Sequence, residues 1–298
     1  MQETAPPTVG NTSVSVGNPW LFFVVTFAIT WGFWLVAIAL GLRFDSAAGL
    51  LLLLLGLIVP GAAGVGFVYL VYDESGRTDF WDRVKQVRRI SLRWFFVILF
   101  LSPVVVIIAA LADIVLGGTS VSLGEWVYEV GTNPIVFLPT LFFATLPPLL
   151  EELGWRGYAL DRLQLDHSAL VSGLILGVIW SIWHLPLFFI AGSYQHDMVG
   201  FGTLEFWMFM IGIVPLSVAF TWVYNNTARS ILAIILLHGW TNFTVQTIDL
   251  TGRSEVFHIG LWFAVIALIT VLWGAKTLTK DDKMPPHPPR NRREIAPE

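Results

Sequence analysis

Runs of apolar residues separated by short polar stretches recur along the chain, over residues 20–42, 48–72, 94–117, 134–160, 169–190, 204–224, 228–248 and 256–275. About 20 such residues at 1.5 Å rise cross the roughly 30 Å hydrocarbon layer of a bilayer as a helix. The fourth run reaches that length only if Glu151 and Glu152 lie inside it. The pattern predicts an all-α protein, a polytopic transmembrane helical bundle of about eight spans. The first run is expected to stay a helix and not to be cleaved as a leader, because residues 1–19 contain no Lys or Arg and the run is long.

Composition agrees with the pattern. The 298 residues are 55% hydrophobic and only 13% charged, where soluble domains carry about 25% charged residues. Net charge is −4, and no basic run interleaves with aromatics, so nucleic acid is not an expected partner. The absence of cysteine excludes disulfides, thiolate nucleophiles and Cys-ligated zinc. Any catalysis falls to oxygen and nitrogen groups. Residues 1–19 and 276–298 are Pro-rich and polar and are expected to be disordered tails around one transmembrane domain, residues 20–275, without internal repeats.

Charge then orients the spans. Of the 17 Lys and Arg residues, 15 fall in the segments 73–93, 156–162, 229 and 276–293, which lie on one side if every run crosses. Arg43 and Arg253 fall on the other. Positive charge concentrates on the cytoplasmic side, so both termini are expected there, in what is expected to be the cell membrane.

Three stretches carry polar groups into the apolar runs, where an ionisable residue is costly and therefore a functional hypothesis. In LLEELGWRGY, Glu152 and Arg156 are four apart and share a helix face, which leaves Glu151 about 100° round the axis free to face elsewhere. Pro147 and Pro148 just before them are expected to kink the helix and free backbone carbonyls. In WSIWHLPLFF, Trp180 and His184 are four apart, and in LLHGWTNFT so are His238 and Asn242, with Gly239 permitting a close helix approach. Each stretch has a bland reading: an interfacial cap, a satisfied core histidine, an interhelical hydrogen bond. Asp113, near the end of the third run, has no companion motif and is expected at the interface. Two carboxylates, two imidazoles and an amide on three spans are nevertheless the inventory for hydrolysing an amide bond: a base for water and donors for the oxyanion.

In this order the three stretches resemble the motifs of the CAAX prenyl protease and bacteriocin-processing family of intramembrane proteases, the type II CAAX endopeptidase group: EExxxR, FxxxH and HxxxN on separate helices. Here they read Glu151-Glu152-Leu-Gly-Trp-Arg156, Trp180-Ser-Ile-Trp-His184 and His238-Gly-Trp-Thr-Asn242, within residues 139–248. Trp180 stands where the family pattern has Phe. The resemblance implies an intramembrane endopeptidase in which Glu151 and His184 activate a water and His238 and Asn242 stabilise the oxyanion. Glu152, Arg156 and Trp180 would support them. Its substrates would be membrane-associated peptides or proteins, lipidated if they are CAAX-type tails. No cofactor is favoured, although the family has also been described as metalloproteases. No HExxH spacing is present, and a divalent metal such as zinc, if bound, would be held by Glu151, His184 and His238. The same polar cluster in a non-catalytic membrane protein would bind a peptide or partner, and a proton-relaying transporter is disfavoured for want of paired broken helices.

Depth sets a condition on this assembly. His184 lies roughly 22 Å past a helix start at residue 169, and His238 about 15 Å past a start at 228. The two miss each other by one to two turns unless the fifth helix projects from the bilayer and enters it near Leu174.

Overall fold

The computed structural model describes residues 17–118, 128, 131–248 and 250–283. Among them are helices and no strand: α1 (Pro19–Ala39), α2 (Ala47–Val71), α3 (Glu74–Lys85), α4 (Leu92–Val115), α5 (Pro134–Leu163), α6 (Ala169–Trp183), α7 (Leu204–Asn226), α8 (Ile231–Thr247) and α9 (Gly252–Trp273). Seven crossings are long and apolar enough to span a membrane: α1, α2, α4, α5, α6 with its following turn to Phe189, α7 and α9. The remaining expected span, α8, is 17 residues long and sits inside the bundle against α4, α5 and α7. The expected all-α polytopic bundle is what forms.

Helix starts follow the side chains that precede them. Asn18, Ser46, Asp73, Asn133, Ser168, Thr203, Ser230 and Thr251 each accept a hydrogen bond from a backbone N–H of the first turn, satisfying donors that helix geometry leaves open. Outer faces carry exposed large apolar residues such as Leu51, Phe95, Phe143 and Val271, as lipid contact requires.

Packing closes the spans into a ring: α1 on α2, α2 on α5, α5 on α8, α8 on α4, α4 on α9, α9 on α7 and α7 on α6, with α1 touching the turn after α6. Between membrane helices, small residues allow the closest contact. A methyl group on Gly154 of α5 would sit 2.0 Å from the Pro60 carbonyl oxygen of α2, and one on Gly239 of α8 would sit 2.8 Å from Thr145 Oγ1 of α5. These two contacts fix α5, which carries the glutamates, from both sides.

Several features depart from the sequence pattern. The segment 73–93 contains α3, whose Arg83 is fully buried against Asp79 and Asp161, both at 2.9 Å, and the Tyr224 hydroxyl at 2.5 Å. Arg229 also pairs with Asp161. These arginines belong to an internal ion network and not to a solvated loop. Asp113, which the sequence left without a companion, is buried near the end of α4 and paired with Arg253 in the first turn of α9. Of the segment assigned by composition to a tail, residues 277–279 pack on the bundle. Leu278 is fully buried, and Asn225 and Asn226 donate to the carbonyls of Thr277 and Leu278 at 2.9 and 2.7 Å. The remainder of that tail, residues 1–16 and most of 118–133 lie outside the described residues.

Candidate active site

The α-helix of α5 runs from Pro134 to Gly154, widens into a π turn over Trp155–Ala159 and closes as α-helix over Leu160–Leu163. π turns inside helices recur at functional sites. Here the wide turn carries Arg156, whose Nη1 donates to both carboxylate oxygens of Glu152 at 2.9 and 3.0 Å. Its Nη2 donates to Ser217 Oγ on α7 at 3.1 Å. The guanidinium lies 4.8 Å from the Trp180 ring centre and 5.1 Å from that of Phe220, between two aromatic faces that attract a desolvated cation. The pair expected from the four-residue spacing is thus present, but Glu152 has a second partner: His238 Nδ1 lies 2.8 Å from its Oε1. One carboxylate ties α5 to α8.

Glu151 points elsewhere. Its Oε2 accepts a hydrogen bond of 2.8 Å from the indole N–H of Trp180 on α6. Trp180, expected as a supporting residue, is therefore a direct partner of the first glutamate, through a donor that phenylalanine lacks. His184, at the end of α6, places Nδ1 2.8 Å from the Trp180 carbonyl oxygen. A carbonyl only accepts, so Nδ1 carries the proton and Nε2 of the neutral ring is left as an acceptor. Pro186 lacks an N–H, and a 3₁₀ turn over Leu185–Phe189 follows α6.

Trp180 brings the two imidazoles together: it lies one turn before His184, and its ring centre is 5.9 Å from that of His184 and 5.0 Å from that of His238.

Asn242 is half-buried on α8 and donates through Nδ2 to the Ala144 carbonyl at 3.3 Å. The helical partner of that carbonyl would be the N–H of residue 148, and Pro148 has none. The prolines expected to expose carbonyls thus supply the acceptor that holds the asparagine, and its second N–H has no partner among the described residues.

Glu151, Glu152, Arg156, Trp180, His184 and His238 are each at most 9% exposed. Ser217 and Phe220, on an α7 assigned no role from sequence, complete the Arg156 cage. The available signal was Ser217 and Thr221 four apart in an apolar run. Among the described residues no three Asp, Glu or His side chains are close enough to share a metal ion. Trp180 takes one oxygen of Glu151, Glu152 takes Nδ1 of His238 and the Trp180 carbonyl takes Nδ1 of His184, so the second Glu151 oxygen and Nε2 of both histidines remain as lone-pair donors.

Residues 133–244, which contain every group described above, match the family described as type II CAAX prenyl endopeptidase Rce1-like. The chain is also 30% identical over 254 residues to a protein from Methanococcus maripaludis named CAAX prenyl protease 2, an alignment covering 85% of this chain and 93% of that protein. The chain belongs to the type II CAAX prenyl endopeptidase family. It is a multi-pass membrane protein of a protease family, and the matched region begins and ends with the helices that hold Glu151 and Asn242.

Proposed function

We propose that the chain hydrolyses peptide bonds at the membrane with Glu151 as general base. The observation that carries the reading is the division of labour between adjacent glutamates: Glu152 is committed to Arg156 and His238, whereas Glu151 is held by the indole N–H of Trp180, the ring around which both imidazoles gather. A water between Glu151 and His184 donates one hydrogen to the carboxylate and the other to His184 Nε2. Glu151 removes a proton as the oxygen attacks the scissile carbonyl, and later returns it to the departing amine. Negative charge developing on the carbonyl oxygen is met by His238 and the free N–H of Asn242. His238 donates its Nδ1–H to the Glu152 carboxylate, and Nε2 becomes a donor when the ring carries a second proton. Each such donor is worth roughly 10²–10³ in rate. All steps use side chains of the chain itself, without a metal.

Family membership and the name of the methanococcal relative support a prenylated, CAAX-type peptide as substrate. The purified chain in lipid nanodiscs should cleave the C-terminal tail of a farnesylated fluorogenic peptide faster than its unlipidated twin. Equal rates on the two peptides would reject a prenyl-directed protease, and no cleavage of either would favour a peptide-binding protein. The excess of basic residues supports a site that opens to the cytoplasm, with both termini on that side.

A further inference from the structure

Helix α8 carries both His238 and Asn242, and it sits inside the bundle, so its rotation about its own axis is set by the helices around it. Two polar bonds hold it to α5: His238 Nδ1 lies 2.8 Å from Glu152 Oε1, and Asn242 donates to the Ala144 carbonyl at 3.3 Å. A third comes from a residue given no role so far. Trp240 donates its indole N–H to the Leu99 carbonyl of α4 at 2.7 Å. At 3.6 residues per turn Trp240 projects about 200° from His238 and about 160° from Asn242. Its bond therefore grips α8 from the side opposite α5.

The acceptor is available for a covalent reason. Leu99 lies four residues before Pro103, inside α4, and proline has no N–H to fill that carbonyl. The Ala144 carbonyl that holds Asn242 is freed by Pro148 in the same way. The device recurs where Thr30 of α1 donates at 3.1 Å to the Gly56 carbonyl of α2, four residues before Pro60. Within the hydrocarbon layer no water can satisfy a freed carbonyl, so a neighbouring helix must. Helix α8 supplies two of these three donors, to helices on its opposite sides. The indole is itself held flat: it stacks on Phe243 with ring centres 5.1 Å apart and 16° between planes, and Phe243 meets Phe137 of α5 edge to face at 5.6 Å.

Side-chain tips lie roughly 5–6 Å from a helix axis, so a rotation of about 10° displaces an oxyanion donor by about 1 Å, and a misplacement of that size can cost about 10² in rate. We propose, on the assignment of His238 and Asn242 as the oxyanion donors, that Trp240 is a positioning residue of the peptidase site: by tying α8 to α4 it fixes the rotation at which those two side chains face the scissile carbonyl.

The experiment compares Trp240→Phe with two further variants in nanodiscs. W240F keeps an aromatic ring and deletes the N–H; its kcat should fall roughly 10- to 100-fold with KM little changed, the mark of a contribution made only in the transition state. P103A/W240F returns an N–H of α4 itself to the Leu99 carbonyl, so its melting temperature should recover while kcat stays low. T30V breaks the like bond between α1 and α2, and should lower the melting temperature while leaving kcat at the wild-type value. A readout independent of turnover is the NMR signal of the proton between His238 Nδ1 and Glu152, in protein with isotope-labelled histidine and identified by its loss in H238Q. That signal should shift in W240F and stay in place in T30V. A wild-type kcat in W240F overturns the proposal. So does recovery of kcat along with the melting temperature in P103A/W240F, which would mean that the bond only satisfies a carbonyl, or an equal kcat loss in T30V. A wild type that cleaves no peptide rejects the peptidase reading instead; the histidine signal then decides whether Trp240 orients α8, and an unmoved signal in W240F overturns that as well.

Discussion

Replacing Glu152 by Gln should damage the fold more than any other single change at the site. Arg156 is fully buried and its Nη1 makes two bonds of 2.9 and 3.0 Å to Glu152. Among the described residues its Nε has no hydrogen-bond partner and its Nη2 bonds only Ser217. Glu152 is thus the one carboxylate that hydrogen-bonds this buried cation, and it also holds Nδ1 of His238. Removing one member of a buried pair costs about 3–5 kcal/mol, because the other charge is left unbalanced in a low dielectric. A glutamine keeps one acceptor for Arg156, so about 3 kcal/mol is expected. At about 2–4 °C per kcal/mol for a large domain, the melting temperature should fall by roughly 6–12 °C. The chain lacks cysteine, which rules out thiol-reactive dyes, but its 14 tryptophans make intrinsic fluorescence a direct probe of melting. Removing both charges together, as E152L/R156L, should recover part of the loss, since an apolar pair can replace a buried ion pair at little cost. A melting temperature within 2 °C of wild type for Glu152→Gln would refute the assignment of Glu152 as the structural glutamate.

Three further outcomes are expected. Trp180→Phe preserves the ring between the histidines but removes the N–H that holds Glu151; a hydrogen bond to a charged group is worth about 1.5–3 kcal/mol, so kcat should fall roughly 10- to 100-fold with KM little changed, and an unchanged kcat would show that the bond positions nothing. Dialysis against a strong chelator, with metal content verified by elemental analysis, should leave peptidase activity intact, whereas loss restored by zinc alone would assign the chemistry to a metal. A cysteine at the exposed position of Lys85, the sole thiol in the chain, should resist a membrane-impermeant maleimide in intact cells and react after lysis; labelling from outside would invert the proposed topology.

How much of this was visible in the sequence depends on the range of each contact. Span positions follow from runs of apolar residues, and Glu152–Arg156 from helical spacing, because both are local. Gly239 was legible as a close approach, though not which helix it meets. The bond from Trp180 to Glu151 joins residues 29 apart, and nothing in a pattern of period 3.6 distinguishes an indole aimed at a carboxylate from one buried in a core. The contact between Asn242 and the Ala144 carbonyl needs two facts at once: a proline that frees an acceptor on α5, and the packing that brings α8 to it. From the sequence Arg83 and Arg229 count only toward the basic excess on one side, and only the fold reveals that Asp161, near the end of α5, pairs with both. The short α3 escaped notice because it is mostly polar and apolar runs are blind to it.

The most direct test of the account is the turnover of Glu151→Gln on a prenylated peptide, measured beside its melting temperature. Glu151 hydrogen-bonds only Trp180 among the described contacts, and glutamine keeps its shape while losing the ability to take a proton from water. General-base catalysis contributes about 10²–10⁴ in rate. The account predicts a fall in kcat of that size with substrate binding retained and a melting temperature within about 2 °C of wild type. A variant that hydrolyses the peptide at the wild-type rate, or one that loses activity only in step with its stability, would contradict the assignment of Glu151 as the base.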